Sequence, residues 1–189
     1  MSQVIVVEFV SLDGVIQDPD GNEGFRQGGW AFRYGPEPVT GDPFALSEVL
    51  GTGALLLGRR TWEMFAKIWP GRDDPFSAKM NAIPKLVASR SLVQADGWQN
   101  SAVLQEDLVA AVRERKRAQD ILVMGSGSVV RTLVAGDLVD EYRLMVFPLI
   151  LGEGTRLFPD GTAVNLTLVS AQTTGPAVKL IYTRPESRI

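Results

Sequence analysis

Three short segments combine glycines, hydroxyl groups and arginines at points where a predicted strand ends. They are Gly58-Arg59-Arg60-Thr61, Ser89-Arg90 and Gly125-Ser126-Gly127-Ser128-Val129. Glycine lets a ligand approach the backbone, unpaired amides at a helix N-terminus attract anions, and a guanidinium binds a phosphate group through two hydrogen bonds. Each segment alone is also compatible with a tight turn or a surface salt bridge. Because they recur at successive strand ends, together they predict a site for a phosphorylated ligand.

Acid–base chemistry in this chain has to use carboxyl groups, because the sequence has no His and no Cys. The same absence excludes thiol nucleophiles, Ser-His-Asp triads and Cys-His zinc sites, and we expect no metal. The candidate acids are Asp13, Asp42 and Glu48, of which we expect Glu48 to face solvent. Asp42 precedes Pro43, which is also typical of a helix N-cap, and Asp13 precedes Gly14, which is also typical of a turn.

Apolar runs of strand length alternate with helical patterns along the chain. The runs cover residues 4–10, 54–57, 85–88, 121–124 and 142–147, with a weaker strand near 98–103. This alternation predicts a largely parallel sheet, with helices at about 43–50, 60–67, 105–117 and 128–135. The last two runs, 165–173 and 177–183, flank a Thr-Gly-Pro turn, so the sheet should end in an antiparallel hairpin.

Composition and charge limit the remaining classes of function. A chain of 189 residues with 45% hydrophobic and 22% charged residues is expected to form a single domain, 1–189. The net charge of -3 argues against nucleic acid as a partner. The longest apolar run, 144–151, is too short to span a membrane, and no signal-peptide pattern is found, so we expect a cytoplasmic protein.

The irregular stretch from 11 to 41 carries four aromatic residues, Phe25, Trp30, Phe32 and Tyr34. Flat apolar side chains suit a lid over a flat heterocycle, and we predict Trp30 and Phe32 as substrate-binding residues. The same residues would also suit a contact between subunits. The sequence leaves both interpretations open.

Taken in order, the motifs resemble those of the dihydrofolate reductase superfamily. They are Ser11-Leu12-Asp13-Gly14, Leu57-Gly58-Arg59-Arg60-Thr61-Trp62, Ala88-Ser89-Arg90, Gly125-Ser126-Gly127-Ser128, Leu138-Val139-Asp140-Glu141-Tyr142 and Pro148-Leu149-Ile150-Leu151-Gly152-Glu153-Gly154. The resemblance is closer to the branch that contains the reductase domain of riboflavin biosynthesis, and it covers about residues 3–183. It implies a three-layer α/β fold in which helices cover both faces of an eight-stranded mixed sheet.

The resemblance also implies NADPH as the cofactor and a homodimer. The Gly58 to Thr61 and Ser89-Arg90 turns would hold the adenosine 2'-phosphate and the adjoining pyrophosphate, and Gly125 to Val129 would meet the pyrophosphate from the other side. The implied activity is reduction of a pterin-, pyrimidine- or riboflavin-precursor-like heterocycle by hydride transfer. By the same resemblance we predict Asp42 and Asp13 as the catalytic acids, because Asp42 stands sixteen residues before Gly58, like the substrate-binding carboxylate of the family, and the turn of Asp13 would cover the nicotinamide. The alternative is a nucleotide-binding or regulatory dimer without turnover, since Ser126 stands where the reductases carry the second glycine of a cis Gly-Gly pair.

Overall fold

The computed structural model describes residues 2–185 and contains a mixed sheet of eight strands in the order β4-β3-β2-β5-β1-β6-β8-β7. The strands are β1 (Val4–Ser11), β2 (Ala54–Gly58), β3 (Lys85–Ala88), β4 (Ser101–Val103), β5 (Ile121–Val123), β6 (Glu141–Phe147), β7 (Thr167–Thr174) and β8 (Ala177–Thr183). Neighbouring strands among β1 to β5 are parallel, whereas β8 is antiparallel to both β6 and β7. The predicted mixed sheet with an antiparallel C-terminal hairpin is confirmed.

Five α-helices lie between the strands in the described part of the chain. They are α1 (Val49–Thr52), α2 (Arg59–Ile68), α3 (Pro75–Ala82), α4 (Leu108–Arg115) and α5 (Gly127–Ala135). Every residue of β2 and β5 is buried, which is the reason that these strands appear in the sequence as uninterrupted apolar runs. Helix α2 follows β2 directly, and a three-residue turn separates β5 from α5.

The chain divides into two compact units. Among the described residues, the first consists of 2–6 with 45–139, and the second of 7–44 with 140–185. All five helices belong to the first unit, together with β2 to β5, while the second contains the long loop after β1 and strands β6 to β8. A single domain over 1–189 stays a prediction.

The prediction of a helix over 43–50 is wrong, and Asp42 is therefore not the N-cap of a helix. Residues 43 and 44 form a turn, Ala45 has a left-handed backbone with φ 56°, and helical structure begins only at Val49. A left-handed residue interrupts a right-handed helix. The Phe44 ring is buried and packs against Phe9, with ring centroids 5.3 Å apart. This tertiary contact, and not the local N-cap pattern, determines the conformation of the segment.

The sequence contains the same dipeptide again at Asp74-Pro75, where it does start a helix that we did not predict. The Asp74 carboxylate accepts hydrogen bonds from the amides of Phe76 and Ser77, both at 3.0 Å, and Pro75 is the first residue of α3. This is the standard N-cap arrangement with proline at the first helical position. The segments Asp42-Pro43-Phe44 and Asp74-Pro75-Phe76 therefore have the same three residues but adopt different conformations.

Strand β3 begins with a lysine whose side chain is buried. The ammonium group of Lys85 donates to the carbonyl oxygens of Asn81, Ile83 and Gln99 at 2.6, 2.9 and 3.1 Å, and it lies 4.3 Å from the ring centroid of Trp98. Burial lowers the pKa of Lys85 to about 8. Lys85 thus joins the end of α3 to the segment that enters β4.

The loop after β1 is ordered by a buried aspartate. The Asp18 carboxylate accepts hydrogen bonds from the amides of Glu23 and Phe25, both at 2.9 Å, and its backbone carbonyl accepts one from the Gly29 amide at 3.0 Å. These bonds close the segment 18–29 on itself. The aromatic residues that follow, in a 3₁₀ helix over Trp30–Tyr34, are therefore presented by a folded loop.

Candidate functional site

The three segments that the sequence predicts to bind phosphate follow three neighbouring strands of the first unit. Strands β3, β2 and β5 are adjacent and parallel, so their carboxyl ends lie at the same edge of the sheet. Gly58 is in register with Ala88, and Ser89-Arg90 comes next in the chain. In open α/β sheets ligands bind at this edge. The three segments that the sequence singled out thus share one sheet edge.

Two of these segments touch each other at Gly58. Its amide donates to the carbonyl oxygen of Gly125 at 3.3 Å. A Cβ atom added at Gly58 would overlap the Ser126 hydroxyl oxygen and would lie 3.1 Å from Ser126 Cβ. The peptide bond between Gly125 and Ser126 is cis, the form that the resemblance implies for the glycine pair of the reductases. The turns after β2 and β5 therefore pack directly together.

Both turns open helices whose first amides lack a side-chain cap. Helix α2 starts at Arg59 behind Gly58, and α5 starts at Gly127 behind Ser126, and neither N-cap side chain bonds the amides of its helix. The Ser126 hydroxyl pairs with the Ser128 hydroxyl at 2.9 Å instead. Amides at a helix N-terminus are hydrogen-bond donors that favour an anion. The two helix starts can therefore hold the diphosphate of a dinucleotide.

Three arginines accompany these helix starts. Arg59 forms an ion pair with Glu63 at 2.9 Å, in which both side chains are about 40% exposed, so the surface salt bridge that the sequence left open is present. Exposed pairs of this kind contribute about 0–1 kcal/mol and compete poorly with a phosphate. Arg60 and Arg90 are exposed and make no ion pair within residues 2–185.

The turn that carries Arg90 is closed by its neighbour. The Ser89 hydroxyl accepts hydrogen bonds from the amides of Ser91 and Leu92 at 3.2 and 2.9 Å. These bonds fix the backbone and leave the Arg90 side chain at the surface, one residue beyond Ser89. Thr61 and Val129, the last residues of the other two segments, are buried and therefore support the helix starts from inside.

In the second unit, Asp13 joins two loops. Its Oδ1 accepts from the Ser11 hydroxyl at 2.6 Å and from the Leu151 amide at 3.2 Å, while Oδ2 accepts from the Gly152 amide at 2.8 Å. Partial burial acts to raise the pKa of Asp13, but the hydrogen bonds from Ser11, Gly152 and Leu151 outweigh it and lower the pKa to about 2. A carboxyl with this pKa is ionised at neutral pH and has no proton to donate.

The remaining predicted acids differ in exposure. Asp42 is half-buried in the loop that leads to Phe44, and Glu48 is exposed, as expected. Sequence reasoning overlooked Glu8, a carboxyl group in the middle of β1 whose Oε1 atom is buried. A single acidic residue inside an otherwise apolar strand was the signal that could have found it.

The aromatic loop divides into buried and exposed members. Trp30 is completely buried, donates its indole N–H to the Gln17 carbonyl at 2.8 Å, and packs edge-on against Phe147. Tyr34 also contacts Phe147 and donates its hydroxyl to the Pro148 carbonyl at 3.3 Å. Phe32 is 55% exposed and can stack on a ligand, whereas Trp30 is enclosed by its own chain.

The fold defined by this strand order and this edge of helix starts is that of the dihydrofolate reductase-like α/β proteins. Residues 2–180 match the family described as the RibD C-terminal domain, and the chain belongs to that family. The uncharacterised protein YyaP of Bacillus subtilis (strain 168) is 27% identical over 190 residues, which cover 95% of this chain and 94% of that protein.

Two crystal structures share the fold. A candidate riboflavin biosynthesis protein from Shewanella sp. PV-4 has a TM-score of 0.75 at 22% identity, covering 97% of this chain and 99% of that one. A pyrimidine reductase-like protein from Corynebacterium diphtheriae has a TM-score of 0.65 at 14% identity, covering 98% and 93%. Within residues 2–185, no helix is both long enough and apolar enough to cross a lipid bilayer.

Proposed function

We propose that this chain is an NADPH-dependent reductase of a small heterocyclic substrate, of the pterin, pyrimidine or riboflavin-precursor type. The observation that carries the proposal is the packing of Gly58 against the Gly125-Ser126 turn. It joins two uncapped helix starts at one sheet edge, next to the turn that carries Arg90. Membership of the RibD C-terminal domain family and the fold shared with a pyrimidine reductase-like protein support the same class of reaction.

The residues present fit a phosphorylated dinucleotide. The amides at the starts of α2 and α5 would hold the pyrophosphate, because they are not used by a side-chain cap. Arg60 and Arg90 would hold the adenosine 2'-phosphate, which distinguishes NADPH from NADH. When bound, the nicotinamide supplies the hydride, and the protein contributes binding and orientation.

On the substrate side we propose different roles for the two predicted acids. Asp42 is the proposed proton donor. Asp13 is a positioning residue, because its ionised carboxylate holds the Leu151-Gly152 turn against the loop after β1. Phe32 is the proposed stacking residue, since its ring is exposed while Trp30 is buried. A cytoplasmic location stays a prediction.

The test has two stages. In the first, NADPH and NADH are titrated onto the purified protein by calorimetry, and thermal unfolding is followed with each. We expect NADPH to bind at micromolar concentration and, at 100 times its dissociation constant, to stabilise the fold by about 2.7 kcal/mol. Absence of binding would overturn the proposed function.

In the second stage, NADPH oxidation is measured with pterins, pyrimidinones, riboflavin precursors and quinones. We expect turnover with at least one heterocycle, and Asp42→Asn should lower kcat while leaving NADPH affinity unchanged. Binding without turnover across this panel would instead support the alternative, a nucleotide-binding regulatory protein that has kept the fold.

A further inference from the structure

Arg143 is an arginine of β6 whose side chain is nearly buried. It is 15% exposed and its partner Glu141 is 12% exposed, and the Arg143 Nε atom donates to Glu141 Oε1 at 2.6 Å. A second nitrogen of the same guanidinium, Nη1, donates to the main-chain carbonyl oxygen of Phe44 at 3.1 Å. Because the guanidinium is planar and rigid, a carboxylate bound to one nitrogen fixes the direction in which the other donates. Glu141 thus orients Arg143 towards the Phe44 carbonyl.

The Phe44 carbonyl belongs to the segment 42–44, which also carries Asp42, the proposed proton donor. Residues 43 and 44 form a turn, and α1 begins only at Val49. Within a helix, regular main-chain hydrogen bonds would fix the direction of each side chain. Outside a helix, that direction depends on contacts with other elements. The hydrogen bond from Arg143 is one such contact, and its acceptor stands two positions after Asp42.

The ring of Phe44 provides a second anchor for the same segment. It packs against Phe9 of β1 with centroids 5.3 Å apart, and Phe9 in turn packs against Phe147 of β6 at 5.6 Å. Arg143 and Phe147 are an even number of positions apart in β6, so both side chains leave the same face of the sheet. An apolar ring contact is not directional, whereas a hydrogen bond to a carbonyl is. The ring contact therefore fixes where the segment lies, and the Arg143 bond limits how it can rotate.

We propose that Arg143 is a positioning residue, which acts through the Phe44 carbonyl to set the place of the Asp42 carboxyl group. The inference rests on the proposed function, in which Asp42 donates the proton to the substrate. Displacing a catalytic group by about 1 Å can lower the rate about 100-fold, even when the substitution is remote from the reacting atoms. Arg143 is assigned no contact with substrate or cofactor, so its effect on the reaction should pass entirely through Asp42.

Lysine at position 143 is the informative substitution. It keeps the positive charge beside Glu141, but an ammonium group is a single point on a flexible chain and does not make both bonds in the same geometry. Arg143→Lys therefore avoids the unpaired buried carboxylate that a neutral residue would leave. The matched control is Arg117→Lys, because Arg117 also pairs with a glutamate, Glu114, but both of these side chains are exposed.

The first measurement needs neither cofactor nor substrate. The sequence has no cysteine, so Asp42→Cys places a single thiol at a half-buried position. The alkylation rate of this thiol is measured for Asp42→Cys alone and in combination with Arg143→Lys or Arg117→Lys, with circular dichroism to check folding. We expect Arg143→Lys to raise the rate about 10-fold, because a released segment exposes the thiol, and Arg117→Lys to leave it unchanged. Equal rates in all three proteins would overturn the inference.

A second variant keeps the test decisive where Arg143→Lys does not fold. Glu141→Asp keeps both charges but withdraws the carboxylate by one methylene group, so the guanidinium is redirected. In the Asp42→Cys background it should raise the alkylation rate about 3-fold. If only this variant folds, an unchanged rate contradicts the proposed role of Arg143.

Turnover separates positioning from a purely structural role. With a substrate found in the panel, Arg143→Lys should lower kcat about 10- to 100-fold and leave the NADPH dissociation constant within about twofold. In the Asp42→Asn background the same substitution should cause no further loss, because its effect passes through the missing carboxyl group. Losses that multiply in the double variant would assign Arg143 a structural role only. If the protein does not bind NADPH, the proposed function fails, and the alkylation rates still decide whether Arg143 holds position 42.

Discussion

The hydroxymethyl group of Ser126 occupies the position that a side chain at Gly58 would need. A Cβ atom at Gly58 would be 3.1 Å from Ser126 Cβ and 3.3 Å from Ser126 N, in addition to overlapping the hydroxyl oxygen. The two residues belong to turns that follow β2 and β5 and start α2 and α5. The spacing of the two helix starts therefore depends on which residues occupy these two positions.

A double-mutant cycle tests this dependence. Gly58→Ala should lower the free energy of unfolding by about 1–3 kcal/mol, because the added methyl group overpacks the contact. Combining it with Ser126→Gly should restore most of the loss, which chemical denaturation of all four proteins measures. Gly71→Ala is the control, since a Cβ there meets nothing within 4 Å. Additive effects of the two substitutions on the free energy of unfolding would show that positions 58 and 126 are not coupled.

Arg90 should determine the choice between the two nicotinamide dinucleotides. If its guanidinium holds the 2'-phosphate, Arg90→Ala removes a charge-assisted hydrogen-bond pair worth about 1.5–3 kcal/mol. The dissociation constant of NADPH should then rise about 10- to 100-fold, while that of NADH changes little. Calorimetric titration of both dinucleotides measures this, with Arg113→Ala, an exposed arginine on α4, as the control. Equal losses for NADPH and NADH would place Arg90 away from the phosphate.

Asp13 should make stability depend on acidic pH. Its folded-state pKa of about 2 lies below the ordinary value of 3.8, so the unfolded chain binds the proton more readily. The stabilisation is complete above pH 4 and is lost as the pH falls from about 4 to 2. Because the group is partly exposed, we expect a loss of about 1–2 kcal/mol, less than the full shift would give.

Urea denaturation across this pH range compares wild type with Asp13→Asn. The variant should be less stable at neutral pH and should lack this part of the acid dependence. Asp160→Asn, at an exposed position, should behave as wild type. If Asp13→Asn keeps the full acid dependence, the carboxylate does not hold the Leu151-Gly152 turn.

Lys85 should make the free energy of unfolding depend on alkaline pH. Burial lowers its pKa to about 8 from the ordinary 10.5, so between these values the unfolded chain is protonated while the folded chain is not. Stability should therefore rise with pH over this interval. We expect a gain of about 1–2 kcal/mol, because three carbonyl groups and the Trp98 ring still favour the ammonium form.

Lys85→Met removes the titrating group and keeps an apolar side chain of similar length. Its free energy of unfolding should lack the rise between pH 8 and 10.5 that wild type shows. Lys67→Met, at an exposed position on α2, controls for the loss of a charge. Parallel pH profiles of wild type and Lys85→Met would contradict a shifted Lys85.

The strands and the glycine-containing turns after β2 and β5 could be predicted from the sequence because local pattern and burial agree there. Strands β2 and β5 are buried along their whole length, so apolar runs mark them, and glycines with hydroxyl residues mark the turns that follow. Their shared sheet edge follows from the parallel alternation of strands and helices. The prediction of three loops at one edge needed no knowledge of distances.

Where local sequence patterns repeat or conflict, only the tertiary structure decided the conformation and burial of the residues. Asp42-Pro43 and Asp74-Pro75 are the same dipeptide, yet only the second starts a helix, because Phe44 is held in an aromatic cluster and Ala45 turns left-handed. Trp30 and Phe32 are two residues apart, but one is enclosed and the other exposed. Side-chain burial depends on residues distant in sequence, such as Phe9 and Phe147, which no local spacing reveals.

The sequence by itself thus determined the succession of strands along the chain, the hairpin at the end and the residue types that can meet a dinucleotide. The tertiary structure decided that Ser126 fills the space at Gly58, that three hydrogen bonds lower the pKa of Asp13, and that Trp30 is buried while Phe32 is exposed. The physical reason is that contact, ionisation and exposure all depend on neighbours that folding brings together from separate parts of the chain.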